Sequence, residues 1–109
     1  MDLLVLGVNH RSAPIEVRER LYVPEKDLQK PLELLGDVPE VTERMLLATC
    51  NRVEVYAVVE GVVESAARAI VDRLAAYHNL DRSLFAGKLF VCSAGDAVRH
   101  VFRVAASLD

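Results

Sequence analysis

No apolar run in the 109 residues approaches the roughly 20 that a membrane-spanning helix needs. The amino terminus enters a strand pattern directly, with neither a basic leader nor a small-residue cleavage site, so no secretory signal is read. Two cysteines without such a signal exclude a disulfide framework and point to free thiols in a reducing cytoplasm. A basic excess is also lacking. Thirteen Lys and Arg against sixteen Asp and Glu give a net charge of −3, which argues against an extended basic face for gripping nucleic acid and leaves room only for focused contacts. Tryptophan is absent, and three tyrosines and three phenylalanines supply few rings for stacking bases. No Gly-x-Gly-x-x-Gly follows any strand pattern, so these residues hold no dinucleotide site of that kind. Neither an internal repeat nor a low-complexity segment is present. What remains is an ordinary globular composition, 52% hydrophobic and 27% charged. It is enough for one domain with one core, and short for a complete two-substrate enzyme.

Taken in order, Leu3–Val8 is a strand with almost no alternation, which predicts that both of its faces are covered. Asn9–Ala13 is a polar loop. Pro14 suits the start of a short helix running to Tyr22, with Glu16 near its positive end. Pro24 opens a second helix, with Leu28, Leu32 and Leu35 at helical spacing and Gly36 closing it. Pro31 should kink that helix or remove one of its hydrogen bonds. Met45–Ala48 and Val53–Val59 read as paired strands, and the second alternates: Val53, Val55, Ala57 and Val59 share one face, Glu54 and Tyr56 the other. Val62–His78 is the clearest helix, with Val63, Ala66, Ala67, Ile70, Val71, Leu74 and Tyr77 along one side and Asn79 at its end. His78 is expected to be a solvated helix-end residue beside the negative pole. Asp81–Phe85 makes one helical turn and Lys88–Cys92 a short fourth strand. From Asp96 the chain is helical again, with Ala97, Val98, Val101, Phe102, Ala105 and Leu108 packing inward. This pattern is still periodic at Asp109, which leads us to expect the amino-terminal part of something longer. The order predicts an α+β fold of the ferredoxin-like, split βαβ kind, a four-stranded antiparallel sheet with helices on one face. The first and third strands would be central, and something must cover their remaining apolar face.

Thr49-Cys50-Asn51-Arg52 lies between the paired strands as a hairpin tip, where Asn51 tolerates a left-handed backbone. A cysteine in such a turn is presented outward. Arg52 beside it supplies the cation that favours a thiolate nucleophile. The plain alternative is a small apolar side chain at a strand end. Cys92, at the end of the fourth strand, reads as a buried filler. Cys50, Cys92, His10 and His100 fit no compact zinc spacing, so no metal is assigned.

Three blocks carry a resemblance. Gly7-Val8-Asn9-His10-Arg11-Ser12-Ala13-Pro14-Ile15-Glu16-Val17-Arg18-Glu19, then Ala48-Thr49-Cys50-Asn51-Arg52-Val53-Glu54-Val55-Tyr56, then Asp96-Ala97-Val98-Arg99-His100-Val101-Phe102-Arg103-Val104-Ala105 resemble, in order, the glutamyl-tRNA reductase family. The resemblance implies that residues 1–109 correspond to the N-terminal catalytic domain, with the NADPH-binding and dimerisation domains absent from the chain. It implies an oxidoreductase that makes glutamate 1-semialdehyde from glutamyl-tRNA through a cysteine thioester, the first step of tetrapyrrole (porphyrin) biosynthesis. NADPH would be bound by a domain outside this chain. The implied partners are glutamyl-tRNA, a second subunit in a homodimer and glutamate-1-semialdehyde aminomutase.

By the same resemblance Cys50 is the nucleophile, and Thr49, Asn51 and Arg52 bind substrate. Arg52 is the natural partner for the glutamate side-chain carboxylate, because its planar fork holds both oxygens. His100 would polarise the acyl carbonyl or protonate the leaving ribose oxygen. Read without the family, it is a polar residue on the helix flank, in register with Asp96, Arg103 and Ser107. His10 and Arg11 are candidate supporting residues, in a loop whose strand end neighbours the tip. The resemblance implies that reductase activity and stable dimerisation require the family's further regions, which this chain is expected to lack. A ligand-binding regulatory domain on the same fold is the alternative. An RNA-binding module is disfavoured by charge and by the few strand aromatics.

Overall fold

Two strands buried on both faces form the middle of the molecule. The computed structural model describes residues 1–106. In it β1 (Asp2–Asn9) and β3 (Arg52–Val59) pair antiparallel from Asp2↔Val59 to Asn9↔Arg52. The edge strands are β2 (Val41–Ala48), against β3, and β4 (Phe90–Ser93), against β1, in the order β2-β3-β1-β4. This is the expected α+β, split βαβ arrangement, with β1 and β3 central. Leu4, Leu6 and Val8 of β1 and Val53, Val55, Ala57 and Val59 of β3 form one face of the sheet and the main core.

Onto that face pack α1 (Ile15–Leu21), α2 (Gln29–Gly36) and α3 (Val63–His78). Val17 and Leu21 anchor α1, Leu35 anchors α2, and Ala66, Ile70, Val71 and Leu74 anchor α3. Asn79 ends α3 in the left-handed region at φ 54°, the conformation that its short polar side chain tolerates. Proline divides the second helical segment differently from expectation. Glu25–Asp27 form a separate 3-10 turn, and α2 begins only at Gln29, so Pro31 falls in its first turn, where no intrahelical N–H is needed. The remaining loop before β4 holds short 3-10 turns at Arg82–Leu84 and Ala86–Lys88, between which Phe85 plugs the core.

The fourth helix corrects the expectation that helices lie on one face. α4 (Ala94–Ala105) packs on β1 and β4 from the opposite side, with Ala97 buried against Val5 and Tyr56. It is the cover that the apolar second face required. Its inward stripe is Ala97, His100, Val101 and Val104, at helical spacing, all buried or half-buried. Val98, Phe102 and Ala105, expected to pack inward, are exposed instead, and Leu108 lies outside the described residues. The helix is rolled so that a histidine, rather than a phenylalanine, faces the sheet. Among the described residues no helix is long and apolar enough to cross a membrane.

Candidate active site

Four residues cross the sheet in one row on the α4 side: Leu47, Glu54, Gly7 and Phe90 are successive register partners on β2, β3, β1 and β4. Gly7 leaves the middle of that row bare. A Cβ there would stand 2.1 Å from the Val53 carbonyl oxygen and 2.7 Å from the Glu54 Cα, so no side chain fits without moving β3. Above the row sits His100, its ring centroid 5.1 Å from that of Phe90 and 6.5 Å from that of Tyr56.

Glu54 is the residue that sequence reasoning left unassigned. Its alternation placed it opposite Val53 and Val55, on the face expected to need a cover, without naming what it meets there. Because α4 covers that side, the carboxylate is 0% exposed. Such a group is held in an interior only by partners. Arg52 Nη1 donates to Glu54 Oε2 at 2.9 Å, and the Tyr56 hydroxyl donates to Glu54 Oε1. His100 Nε2 lies 3.0 Å from Glu54 Oε2. Arg52, Glu54 and Tyr56 are alternate residues of β3 and so share a face. One buried carboxylate thus fixes both a guanidinium fork and an imidazole. Two apolar-faced central strands were the available signal: a carboxylate on a face that must be covered has to have partners.

This geometry changes the roles expected for several residues. Arg52, expected beside the thiol, turns inward from the start of β3, with its side chain 9% exposed and on Glu54. The guanidinium that reaches the tip belongs to Arg18 of α1. Its Nη1 donates to the Cys50 carbonyl at 2.8 Å and its Nε to the Ala13 carbonyl at 3.2 Å, tying helix, loop and tip together. His100 lies on the inward stripe of α4 and not on a solvated flank; Ser107, placed in register with it, is outside the described residues.

The tip itself is held by Thr49. Its N–H donates to the Arg52 carbonyl at 2.8 Å, and its hydroxyl oxygen accepts from the Asn51 and Arg52 N–H groups at 3.2 and 3.3 Å. The left-handed conformation expected at Asn51 is not adopted, since among the described non-glycine residues only Asn79 and Ala94 have positive φ. The hydroxyl, which satisfies both N–H groups, shapes the turn in its place. Cys50 is exposed, as its place in the turn predicts, while Cys92 is half-buried and packs with the Val5, Tyr56 and Ala97 cluster.

Next to the tip, the loop after β1 is closed by Asn9. Its Oδ1 accepts from the Arg11 and Ser12 N–H groups at 2.9 and 3.0 Å, and the Ser12 hydroxyl accepts from the Asn9 N–H at 3.0 Å. Pairing of Asn9 with Arg52 brings this loop beside the hairpin, with His10 and Arg11 exposed on it. A cleft of about 280 Å³ opens at Cys50, walled by Ile15, Arg18, Glu19, Tyr22 and Thr49. The structure therefore gathers Thr49 and Cys50 on the cleft, leaves Asn51 exposed at the tip, and holds Arg52 and His100 on Glu54 beneath α4. Among the described residues no group of three or more His, Cys, Asp or Glu could hold a metal ion.

His78 also departs from its expected setting. Its ring lies edge-on to Tyr77 at 4.8 Å and its Nε2 is buried without a hydrogen-bond partner. Burial pulls its pKa below the ordinary value, opposed by a hydrogen bond to the Leu21 backbone.

Comparison with known proteins fits this arrangement. The family model described as glutamyl-tRNAGlu reductase, N-terminal domain, matches residues 6–109. Among curated relatives, the glutamyl-tRNA reductase of Citrifermentans bemidjiense is 41% identical over 109 residues, all of this chain and 25% of that protein. Glutamyl-tRNA reductase 2 of Koribacter versatilis is 42% identical over 110 residues, all of this chain and 24% of that protein. The solved glutamyl-tRNA reductase from Methanopyrus kandleri superposes with a TM-score of 0.61 at 31% identity, covering 97% of this chain and 22% of that one. The chain thus spans about a quarter of the length of the relatives it matches. On a family match that runs over nearly all of its residues, the chain belongs to the N-terminal domain family of glutamyl-tRNA reductase.

Proposed function

We propose that this domain takes the glutamyl group from glutamyl-tRNA onto Cys50, as the acyl-transfer part of the reductase that opens tetrapyrrole biosynthesis. The observation that carries the reading is the placement of Cys50: exposed at a hydrogen-bonded hairpin tip, in front of a cleft. The thiolate sulfur attacks the acyl carbon, the bond from that carbon to the ribose oxygen breaks, and a glutamyl thioester remains on Cys50. The proton given up by the thiol ends on the ribose oxygen.

Arg52 and His100 act from the other side of the tip. Arg52 would bind the glutamate side-chain carboxylate, its fork held in place by Glu54. His100, whose Nε2 is engaged by the same carboxylate, is held in one ring orientation, as a proton carrier near a reacting group must be. Thr49 and Asn51 bind substrate through the tip that they form. His10 and Arg11 flank this site on the neighbouring loop.

These residues do not fit a dinucleotide, since no glycine-rich turn joins a strand to a helix. In this reading the hydride that converts the thioester to glutamate 1-semialdehyde is delivered by an NADPH-binding domain outside the 109 residues. Homodimerisation and hand-over of the aldehyde to an aminomutase belong to such regions too. A cysteine that works as a free thiol is in keeping with a cytoplasmic protein.

Intact mass analysis after incubation with a small glutamyl thioester tests the reading. A glutamyl adduct is expected on the unsubstituted protein and on Cys92→Ser, and none on Cys50→Ser. Labelling that persists in Cys50→Ser, or no adduct at all, would remove the acyl-transfer assignment and favour a ligand-binding domain on the same fold.

A further inference from the structure

The short helix α1 is two-sided. Val17 and Leu21 face the core, while Ile15, Arg18, Glu19 and Tyr22 follow one another at i, i+3, i+4 and i+7 and form the wall of the cleft at Cys50. That second stripe lines the open cleft and lies outside the main core. It combines an aliphatic residue 50% exposed, an aromatic residue 44% exposed, a carboxylate and a guanidinium. We propose that this wall is the subsite for the 3′-terminal adenosine of the acyl-tRNA, on the leaving-group side of Cys50. The proposal rests on the acyl-transfer reading above and adds where the nucleoside goes.

Connectivity supports that occupant. The acyl carbon must reach the Cys50 sulfur, and the ribose is joined to it through a single oxygen, so the nucleoside has to lie in whatever concavity borders the thiol. Here the bordering concavity has α1 as its wall, and at about 280 Å³ it is close to the lower end of small-molecule sites, roughly 300 Å³. The chemistry of the stripe matches the parts of a nucleoside. Tyr22 and Ile15 offer flat apolar surface to the base, as single-stranded bases require. The Glu19 carboxylate is an acceptor for the free ribose hydroxyl beside the ester, a pairing that carboxylates make in nucleotide sites. Arg18 adds a fixed distance: its 2.8 Å bond to the Cys50 carbonyl couples the wall to the nucleophile's own peptide. A base seated on α1 would therefore set the depth at which the ester carbon meets the sulfur. A net charge of −3 does not oppose this, because one nucleoside is read by stacking and hydroxyl contacts without a basic face.

Two acyl donors separate this subsite from the reading beneath it: 3′-O-glutamyl-adenosine and a glutamyl thioester that carries no nucleoside. Cys50 acylation by each is followed by intact mass in the unsubstituted protein, in Tyr22→Phe and in Ile15→Ala/Tyr22→Ala. The double variant is expected to slow acylation by the adenosine ester by roughly tenfold or more, the size that base stacking on an aromatic ring confers. Its effect on the thioester should be absent, and Tyr22→Phe should retain the adenosine-ester rate because its ring stacks equally. Both substituted side chains are about half exposed and belong to neither hydrophobic core cluster, so folding is not at stake. Equal slowing of both donors, or an adenosine ester that never outperforms its double-variant rate, overturns the subsite while Cys50 labelling by the thioester leaves the acyl-transfer reading standing. If neither donor labels Cys50 in the unsubstituted protein, that reading falls and the subsite falls with it.

Discussion

At the scale of single residues, Glu54 is where most of the interior electrostatics meet. It is fully buried, and both Arg52 and His100, candidate site residues, lean on its carboxylate. Substituting Glu54→Gln keeps the shape but removes the negative charge 2.9 Å from the buried Arg52 guanidinium. A loss of about 3–5 kcal/mol is expected, the size found when one member of a buried ion pair is removed. The double variant Arg52→Met/Glu54→Gln should recover part of that loss, because the buried cation goes with its counter-charge, and urea unfolding of the single and double variants checks both. Cys50 was legible from the chain alone, because four polar residues between two apolar runs can only be a turn. Glu54 was not. Period-two alternation says that a residue points away from Val53 and Val55, and it is silent about what lies on that side. Arg52 was read beside the thiol because of its proximity to Cys50 along the chain, which concealed a side chain buried on Glu54.

Elements were legible in their order and kind, and less so in their orientation. The paired strands, the long α3 and its Asn79 end all follow from periodicity and cap chemistry. α4 shows where this stops. Its sequence offers two stripes, Val98 with Phe102 and Ala97 with His100, Val101 and Val104, and apolarity alone draws Val98 and Phe102 inward together with Ala97 and Val101. The sheet selects the stripe that carries His100, whose ring meets the buried Glu54 carboxylate. The entry into α4 has its own cost. β4 ends at Ser93 and the helix begins at once, with Ala94 at φ 54°, a left-handed conformation that a Cβ disfavours by roughly 1–2 kcal/mol. Glycine adopts it freely but loses more chain entropy on folding. Ala94→Gly is therefore expected to stabilise the protein by up to about 1 kcal/mol, read as a higher urea midpoint with an unchanged slope. A lower midpoint would mean that the turn is held by packing of the alanine methyl and is not strained.

For the molecule as a whole, stability should depend on pH through a histidine that does not line the cleft. His78, in the last turn of α3, hydrogen-bonds to the backbone of Leu21 in α1, and so spans two of the helices that cover the main core. Its Nε2 is buried without a hydrogen-bond partner, so a proton placed there would be a charge without an acceptor. Burial accordingly lowers the folded-state pKa from the ordinary 6.5. Well above pH 6.5 the ring is neutral in both folded and unfolded chains and contributes no pH dependence. Below it the unfolded chain takes up a proton that the folded one resists, so the unfolded state binds more protons and stability falls as pH falls. The decline ends only once the folded ring itself titrates. Urea midpoints at about pH 7.5 and about pH 5.5, either side of the free imidazole's range, should differ more for the unsubstituted protein than for His78→Leu, in which this group is gone. Carboxylates shift little over that interval, being ionised on both sides of it. An identical pH dependence in the two proteins would show that the imidazole protonates as readily in the fold as outside it, and that the α1–α3 contact tolerates the charge.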